Sequence, residues 1–138
     1  MRALSRVTAF LASLTLVLAG QSAFAHHSFG VEFDANKPLK LQGTVVKVEL
    51  INPHSWIYID VKKPDGTVER WAIEGGSPNS LLRRGVTKDT LKVGTVIDVD
   101  GYQARDGSTK ANGRDISFLD GRKLFVGSEG TGAPAAGK

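Results

Sequence analysis

The three histidines of the chain are the residues whose type and position best suit the binding of a transition metal. His26 and His27 are adjacent and directly follow Ala23-Phe24-Ala25, a small-x-small pattern typical of a signal-peptidase site. Cleavage after this pattern would make His26 the first residue of the mature chain, where its α-amine and imidazole could chelate a divalent ion such as copper. His54, in Asn52-Pro53-His54, could add a third nitrogen.

Both histidine motifs also have a simpler explanation. Adjacent histidines often belong to a flexible terminus, and Asn-Pro initiates turns that the following histidine could cap. The segment 26–38 could span about 40 Å if extended, so His26 could reach His54. His27 could ligate the metal directly or fix this arm. The chain has no cysteine and its single methionine is Met1, so a nitrogen set that favours Cu(II) over Cu(I) is predicted.

Two further candidate features lie in the strands after His54. Glu74 could be a carboxylate ligand or an acceptor that orients a ligating imidazole, and the alternative is a solvated carboxylate at a strand end. Trp56, Tyr58 and Trp71 could form an aromatic platform for a sugar or a base, and the alternative is packing across a hairpin. The sequence has no Gly-x-Ser-x-Gly elbow and no paired His and Asp spacing, so it predicts no catalytic residues.

The N-terminal segment predicts export. Arg2 and Arg6 precede an apolar run over residues 7–19, which is shorter than the roughly 18–20 residues of a membrane-spanning helix. Residues 1–25 are therefore interpreted as a signal peptide, and the mature chain is expected in the periplasm or the medium, with no membrane span. Cleavage after Ala19 is a weaker alternative, which would leave extra residues before His26 and destroy the amino-terminal chelate.

The charge of the mature chain argues against a nucleic-acid partner. Loss of Arg2 and Arg6 with the signal peptide would lower the formal net charge from +4 to +2, because no acidic residue is lost with them. This mild basicity gives little electrostatic attraction to a phosphate backbone. The absence of cysteine means that a small exported domain must be stabilised by packing or by a bound ion.

The remaining sequence predicts a mainly β fold of one domain. An arm over residues 26–38 could form a short edge strand at Phe29–Phe33, and residues 39–126 are expected to form a barrel. A long first strand with a bulge near Gly43, a hairpin over residues 55–74 and a short helix after Ser77 precede two or three more strands. This order is that of a five- to six-stranded OB-like barrel, with a generic β-sandwich or roll as the alternative. Residues 127–138 are predicted to be a disordered tail.

The order of motifs resembles a family of small exported bacterial proteins of unknown function. The resemblance covers almost the entire mature chain, and its motifs are His26-His27-Ser28-Phe29, Phe33-Asp34, Gly43-Thr44-Val45, Asn52-Pro53-His54, the strand from Trp71 to Glu74, Ser77-Pro78-Asn79 and Leu82-Arg83-Arg84-Gly85. It implies an exported protein with an OB-like fold. The family has no established activity, so the resemblance implies none.

Two functions follow as hypotheses. The first is a periplasmic protein that binds a divalent metal, copper in particular, through His26, His54 and His27. The second is an OB-like interaction module that binds a glycan or a partner protein without metal. A copper oxygenase is a more distant alternative, because the sequence supplies neither a substrate groove nor a second catalytic group.

Overall fold

The computed structural model describes residues 29–128, and these residues form a mainly β domain. The predicted signal peptide, with His26 and His27, and residues 129–138 lie outside the described part of the chain. The elements in chain order are α1 (Phe29–Glu32), β1 (Phe33–Glu49), β2 (Trp56–Lys62), β3 (Val68–Glu74), α2 (Pro78–Arg83), β4 (Val96–Ala104), β5 (Lys110–Phe118) and β6 (Lys123–Phe125). Within residues 29–128, no helix is long and apolar enough to cross a membrane.

The strands form one sheet that closes on itself. The strand order is β3-β2-β1-β4-β5-β6, with antiparallel neighbours throughout. A parallel pairing of β3 with β5, from Ala72 opposite Lys110 to Glu74 opposite Asn112, joins the two ends of a five-stranded barrel. The helix α2 lies between β3 and β4 in the chain. This topology confirms the predicted OB-like barrel.

The first strand bends because it carries a bulge. β1 pairs with β4 along its first part and with β2 along its second, and its register with β2 shifts between Val45 and Lys47. Before the bulge Val45 points into the core, whereas after it Val48 does so and Glu49 points outward. The bulge predicted near Gly43 is therefore confirmed, and it decides which residues of the end of β1 face outward, since one extra residue exchanges the two faces of a strand.

The predicted hairpin is formed by β2 and β3, and its residues alternate between two environments. The inner face consists of apolar residues that are almost fully buried: Ile57, Ile59, Trp71 and Ile73. The outer face carries polar and aromatic residues: Trp56, Tyr58, Asp60, Arg70 and Glu74. The turn at Gly66 has a φ of 88°, which favours glycine.

The short helix α2 forms as its sequence predicts. The Ser77 side chain caps it by accepting from the backbone N–H of Ser80, and Pro78 takes the first helical position. Gly85, with a φ of 81°, ends it. Behind the helix, the backbone N–H of Gly76 donates to the carbonyl of Val126, and an Arg84 guanidinium N–H donates to the carbonyl of Gly127. The chain after β6 is thus fastened to the segment that follows Glu74.

The prediction of an edge strand at Phe29–Phe33 is wrong. Residues Phe29–Glu32 form one helical turn, and β1 begins at Phe33, earlier than predicted. The spacing of four residues between Phe29 and Phe33 brings their rings to 5.8 Å on one side of the turn, and the Phe29 ring meets Tyr102 edge-on at 5.3 Å. This small aromatic cluster, separate from the main core, anchors the N-terminal end of the described chain.

Candidate functional site

A cleft of about 410 Å³ lies where β1 ends, β2 begins and α1 meets the barrel. Among residues 29–128, its lining combines one histidine, three carboxylates and two large aromatic rings, without lysine or arginine: Glu32, Glu49, Ile51, Asn52, Pro53, His54, Trp56, Tyr58 and Glu74. The cleft contains His54, which the sequence singled out as a metal ligand, and Glu74, which it singled out as a ligand or acceptor.

His54 is held in the cleft by its neighbours in the loop between β1 and β2. The next residue, Ser55, is fully buried, and its backbone N–H donates to the carbonyl of Gly76 while its own carbonyl accepts from Gly75. These two bonds continue the β2–β3 pairing by one step, so the loop that carries His54 is tied to the segment after Glu74. The Asn52–Pro53 peptide bond in this loop is cis.

The imidazole of His54 lies against the carboxylate of Glu74. The Nδ1 of His54 is buried and lies 3.4 Å from Glu74 Oε1, a polar contact that is not aligned as a hydrogen bond. About a third of the imidazole side chain remains exposed. Because Nδ1 is covered, a ligand that enters the cleft from solvent can reach only Nε2.

Glu74 is almost fully buried, with 7% of its surface exposed. The alternative of a solvated strand-end carboxylate is therefore wrong, and the parallel pairing of β3 with β5 sets Glu74 opposite Asn112, which is buried as well. A buried carboxylate in this position lies within contact distance of the histidine beside it. Whether it ligates a metal or orients an imidazole stays a prediction.

Glu49 forms a second polar group on the cleft wall. The hydroxyl of Tyr58 donates to Glu49 Oε2 at 2.9 Å, and Lys47 Nζ lies 2.5 Å from Oε1 and 5.4 Å from the centre of the Tyr58 ring. The hydrogen bonds from Lys47 and Tyr58 hold the pKa of the Glu49 carboxyl below its usual value. Burial, and then the bond to Glu49, raise the pKa of the Tyr58 hydroxyl.

Glu32 contributes the third carboxylate from the C-terminal end of α1. Its Oε1 lies 3.7 Å from Lys110 Nζ, and its carbonyl accepts from the backbone N–H of Arg105, whose guanidinium donates to the carbonyl of Gly30. The first described residues are thus fixed beside the cleft. His26 and His27, which the sequence also predicted as ligands, lie outside the described residues.

Two of the three predicted platform residues come together. Trp56 and Tyr58 lie two apart on the outer face of β2, and both line the cleft. Trp71 does not join them, because it pairs with Ile59 on the inner face and is 92% buried in the core. Its indole N–H donates to Glu69 at 2.9 Å.

Within residues 29–128, no group of three histidine, cysteine, aspartate or glutamate side chains is arranged to hold a metal by itself. Among the described residues that line the cleft, His54 carries the imidazole, and ligation of a metal by it stays a prediction.

The sequence interpretation missed Glu49 and Glu32. The alternation of β1 on its own could have shown that Glu49 and Lys47 share a face, but assigning that face to the outside required the position of the bulge. Glu32 could have been found from the spacing of Phe29 and Phe33, which is also that of a helical turn.

The sequence matches a known protein family over most of its length. Residues 13–113, most of the chain, match the family of unknown function DUF6152. The chain belongs to this family. The stretch that matches DUF6152 includes all three histidines and the three carboxylates of the cleft, but the family carries no described activity.

Similarity to proteins of known structure is low. A solved structure with a similar fold is the N-terminal domain of the PriB protein from Thermoanaerobacter tencongensis, described as dimeric. It is 20% identical, with a TM-score of 0.43, and the match covers 61% of this chain and 97% of that one. No curated protein matches the chain.

Proposed function

We propose that this DUF6152 member is an exported, periplasmic protein that binds a divalent transition metal, in particular copper, at the His54 cleft. The observation that carries the proposal is the burial of His54 Nδ1 against the Glu74 carboxylate. Ligating histidines commonly turn their second ring nitrogen towards a carboxylate, which fixes the ring and raises its basicity. His54 Nε2 is then the metal ligand, and Glu74 orients it.

The remaining ligands are proposed to come from the mature N-terminus. His26 precedes the anchored Phe29 by three residues, which limits its Cα to about 10 Å from that of Phe29. Glu32, at the end of α1, lines the cleft, which supports the proposal that the segment before α1 supplies the remaining ligands. The α-amine and imidazole of His26, the imidazole of His54 and a contribution from His27 would form a nitrogen-rich set that favours Cu(II).

Export is part of the proposal, because the amino-terminal chelate exists only after cleavage. The basic residues Arg2 and Arg6, the apolar run over residues 7–19 and the pattern Ala23-Phe24-Ala25 support removal of residues 1–25 by signal peptidase. A site whose main chelate is created by processing would bind metal only in the exported chain.

The test uses the full chain with its own leader, produced in a bacterial host and isolated from the periplasm. Mass spectrometry determines the first residue, and calorimetric titration with Cu(II) measures the affinity. We expect His26 as the first residue and an affinity tighter than micromolar. His54→Ala is expected to weaken Cu(II) binding strongly, with an unchanged thermal unfolding midpoint as the control for folding.

A variant with one additional methionine before His26 isolates the role of the amine. It leaves all imidazoles in place and removes the amino-terminal chelate, so a strong loss of Cu(II) affinity is expected. Binding weaker than micromolar in the correctly processed chain would overturn the proposal as a whole. Equal affinity with and without the extra methionine would overturn the role of the amine.

A second candidate function is supported by Trp56 and Tyr58, which lie side by side in the cleft. An aromatic pair next to carboxylates is suited to stacking against a sugar ring and accepting its hydroxyl hydrogens. If the chain is a glycan-binding module, it will be retained on an immobilised glycan in the presence of a chelator. Trp56→Ala would abolish this retention, and His26→Ala would leave it unchanged.

A further inference from the structure

The cleft at the end of β1 has a composition that suits an organic cation. Among the described residues, its lining combines three carboxylates with two aromatic rings: Glu32, Glu49, Glu74, Trp56 and Tyr58. The electron-rich face of an aromatic ring attracts an ammonium group, and carboxylates accept charge-assisted hydrogen bonds from the same group. The volume of about 410 Å³ is within the range of sites that hold small molecules.

Two of these carboxylates lie on either side of one aromatic ring. In the register of the sheet, Trp56 of β2 is opposite Glu49 of β1 on one side and opposite Glu74 of β3 on the other. The three residues thus form a row across the outer face, and all three line the cleft. The row spans two strand spacings, so the Cα atoms of the two glutamates are about 10 Å apart. An apolar surface therefore separates two acidic groups.

The ammonium group of Lys47 shows that this face of the sheet accommodates an organic cation. Its Nζ contacts Glu49 Oε1 and lies 5.4 Å from the centre of the Tyr58 ring, while the Tyr58 hydroxyl donates to Oε2. Lys47 lies beside the cleft and not in its lining. A carboxylate has about four acceptor positions, so Glu49 can accept a further donor from the cleft while it keeps both of these partners.

We propose that the cleft binds an aliphatic diammonium compound, whose hydrocarbon chain lies over the Trp56 ring and whose two ammonium groups bind Glu49 and Glu74. Such a molecule is apolar in the middle and cationic at both ends, which complements the row of an aromatic ring between two carboxylates. The burial of Glu74 strengthens its attraction to a cation, because salt and water screen a buried charge less than an exposed one. The inference goes beyond the proposed function and is independent of it, since it involves neither a metal nor a histidine ligand.

The experiment is a calorimetric titration of the full chain, exported and processed as above and freed of metal by dialysis against a chelator. Cadaverine, a five-carbon diamine, is the probe, and two compounds of the same length are its controls. Pentylamine lacks one ammonium group, and pentanediol carries hydroxyl groups in place of both. Cadaverine should bind about fivefold more tightly than pentylamine or better, because its second contact is intramolecular once the first has formed. Added salt should weaken the binding of cadaverine, and pentanediol should not bind.

Variants of the chain test the two ends of the ligand separately. Glu49→Gln removes one carboxylate, so the affinity for cadaverine should fall to within about twofold of that for pentylamine. Asp100→Asn is the matched control and should leave the ratio of the two affinities unchanged. Asp100 also forms a strand salt bridge, with Lys40 at 2.6 Å, its side-chain exposure is close to that of Glu49 (24% against 26%), and it lies on the β1–β4 pairing. Trp56→Ala should weaken the binding of both amines.

The ratio of the cadaverine and pentylamine affinities decides the outcome. Equal affinities for the wild-type chain would overturn the inference, as would a ratio that Glu49→Gln leaves unchanged. Binding of pentanediol as tight as that of cadaverine would also overturn it, in favour of a site for hydroxyl groups. If Glu49→Gln has a lowered unfolding midpoint, Glu74→Gln tests the other carboxylate and should reduce the ratio in the same way. A chain that binds cadaverine but not Cu(II) would support this inference while the proposed function fails, and the opposite result would overturn this inference alone.

Discussion

The inner and outer faces of the β2–β3 hairpin contrast within a single element. The inner face carries Ile57, Ile59 and Ile73, which are fully buried and contribute only apolar contact to the core. The outer face, formed by the residues that alternate with these, carries aromatic and carboxylate groups of the cleft. Because successive side chains of a strand point to opposite sides, the same backbone supports both without conflict.

This contrast implies that stability and binding are separable in this molecule. Changes to the inner face should affect the free energy of unfolding and reach the cleft only through loss of the fold. Changes to the outer face should affect ligand binding while the barrel persists. Four substitutions test this separation.

The largest effect is expected for Ile73→Ala on the inner face. Removal of three carbon atoms from a fully buried position leaves a cavity and should lower the free energy of unfolding by about 2–5 kcal/mol. Urea denaturation followed by tryptophan fluorescence measures the change. Val68→Ala, in the same strand but 61% exposed, is the control and should stay within about 0.5 kcal/mol of the wild type. Similar losses for both variants would contradict the assignment of the faces.

Gly113→Ala tests the inner face from β5, the strand that pairs with β3. A Cβ at this position would lie 2.7 Å from Cγ2 of Ile73, so the core must shift, at a cost of about 1–3 kcal/mol. The measurement is again urea denaturation. Gly30→Ala is the control, since nothing lies within 4 Å of a Cβ there. An unchanged midpoint for Gly113→Ala would show that the wall is more open than the packing indicates.

Glu74→Gln should separate binding from folding on the outer face. The amide preserves the shape of the side chain but removes the charge beside His54 Nδ1, so Cu(II) affinity should fall by about 10- to 100-fold, as for other residues that orient a ligating histidine. Calorimetric titration measures the affinity, and the unfolding midpoint should remain near that of the wild type. A loss of stability as large as that of Ile73→Ala would show that the outer face also holds the fold.

The smallest effect is expected for Asp60→Asn, on the outer face away from the cleft. Two hydrogen bonds from Arg70, at 2.8 and 3.1 Å, lower the pKa of Asp60 below its usual value of 3.8. The ion pair therefore stabilises the fold above that pH, and its contribution disappears as the pH falls through the lowered pKa. Thermal unfolding at pH 7 should show a small decrease for the variant, and the two proteins should converge in strong acid. A difference that grows towards low pH would contradict this.

The sequence predicted those elements that are determined by neighbouring residues better than those that depend on contacts between distant parts of the chain. The hairpin and α2 were predicted because Gly66, Ser77 and Gly85 mark their ends locally. The first helical turn was missed because Phe29 and Phe33 fit a strand and a helix equally well by spacing alone.

The site was predicted less completely than the fold. His54 was identified by its residue type. The burial of Glu74 depends on the pairing of β3 with β5, which lies far along the chain, and no local sequence pattern predicts that pairing. Glu49 faces the cleft only because a single bulged residue exchanges the faces of β1. The outer position of Trp56 and Tyr58 and the inner one of Trp71 could have been predicted from the hairpin register.

The parallel pairing of β3 with β5 has a consequence for the order of events in folding. The hairpin of β2 and β3 can form from neighbouring residues, but Glu74 becomes buried only when β5 arrives from a distant part of the chain, and pairings of such sequence separation are slow to form. We therefore expect the surroundings of Glu74 to be completed late, after most of the barrel. A ligand that binds only the closed barrel would stabilise the β3–β5 pairing by mass action. Its first effect would be to reduce the opening of the barrel between these two strands.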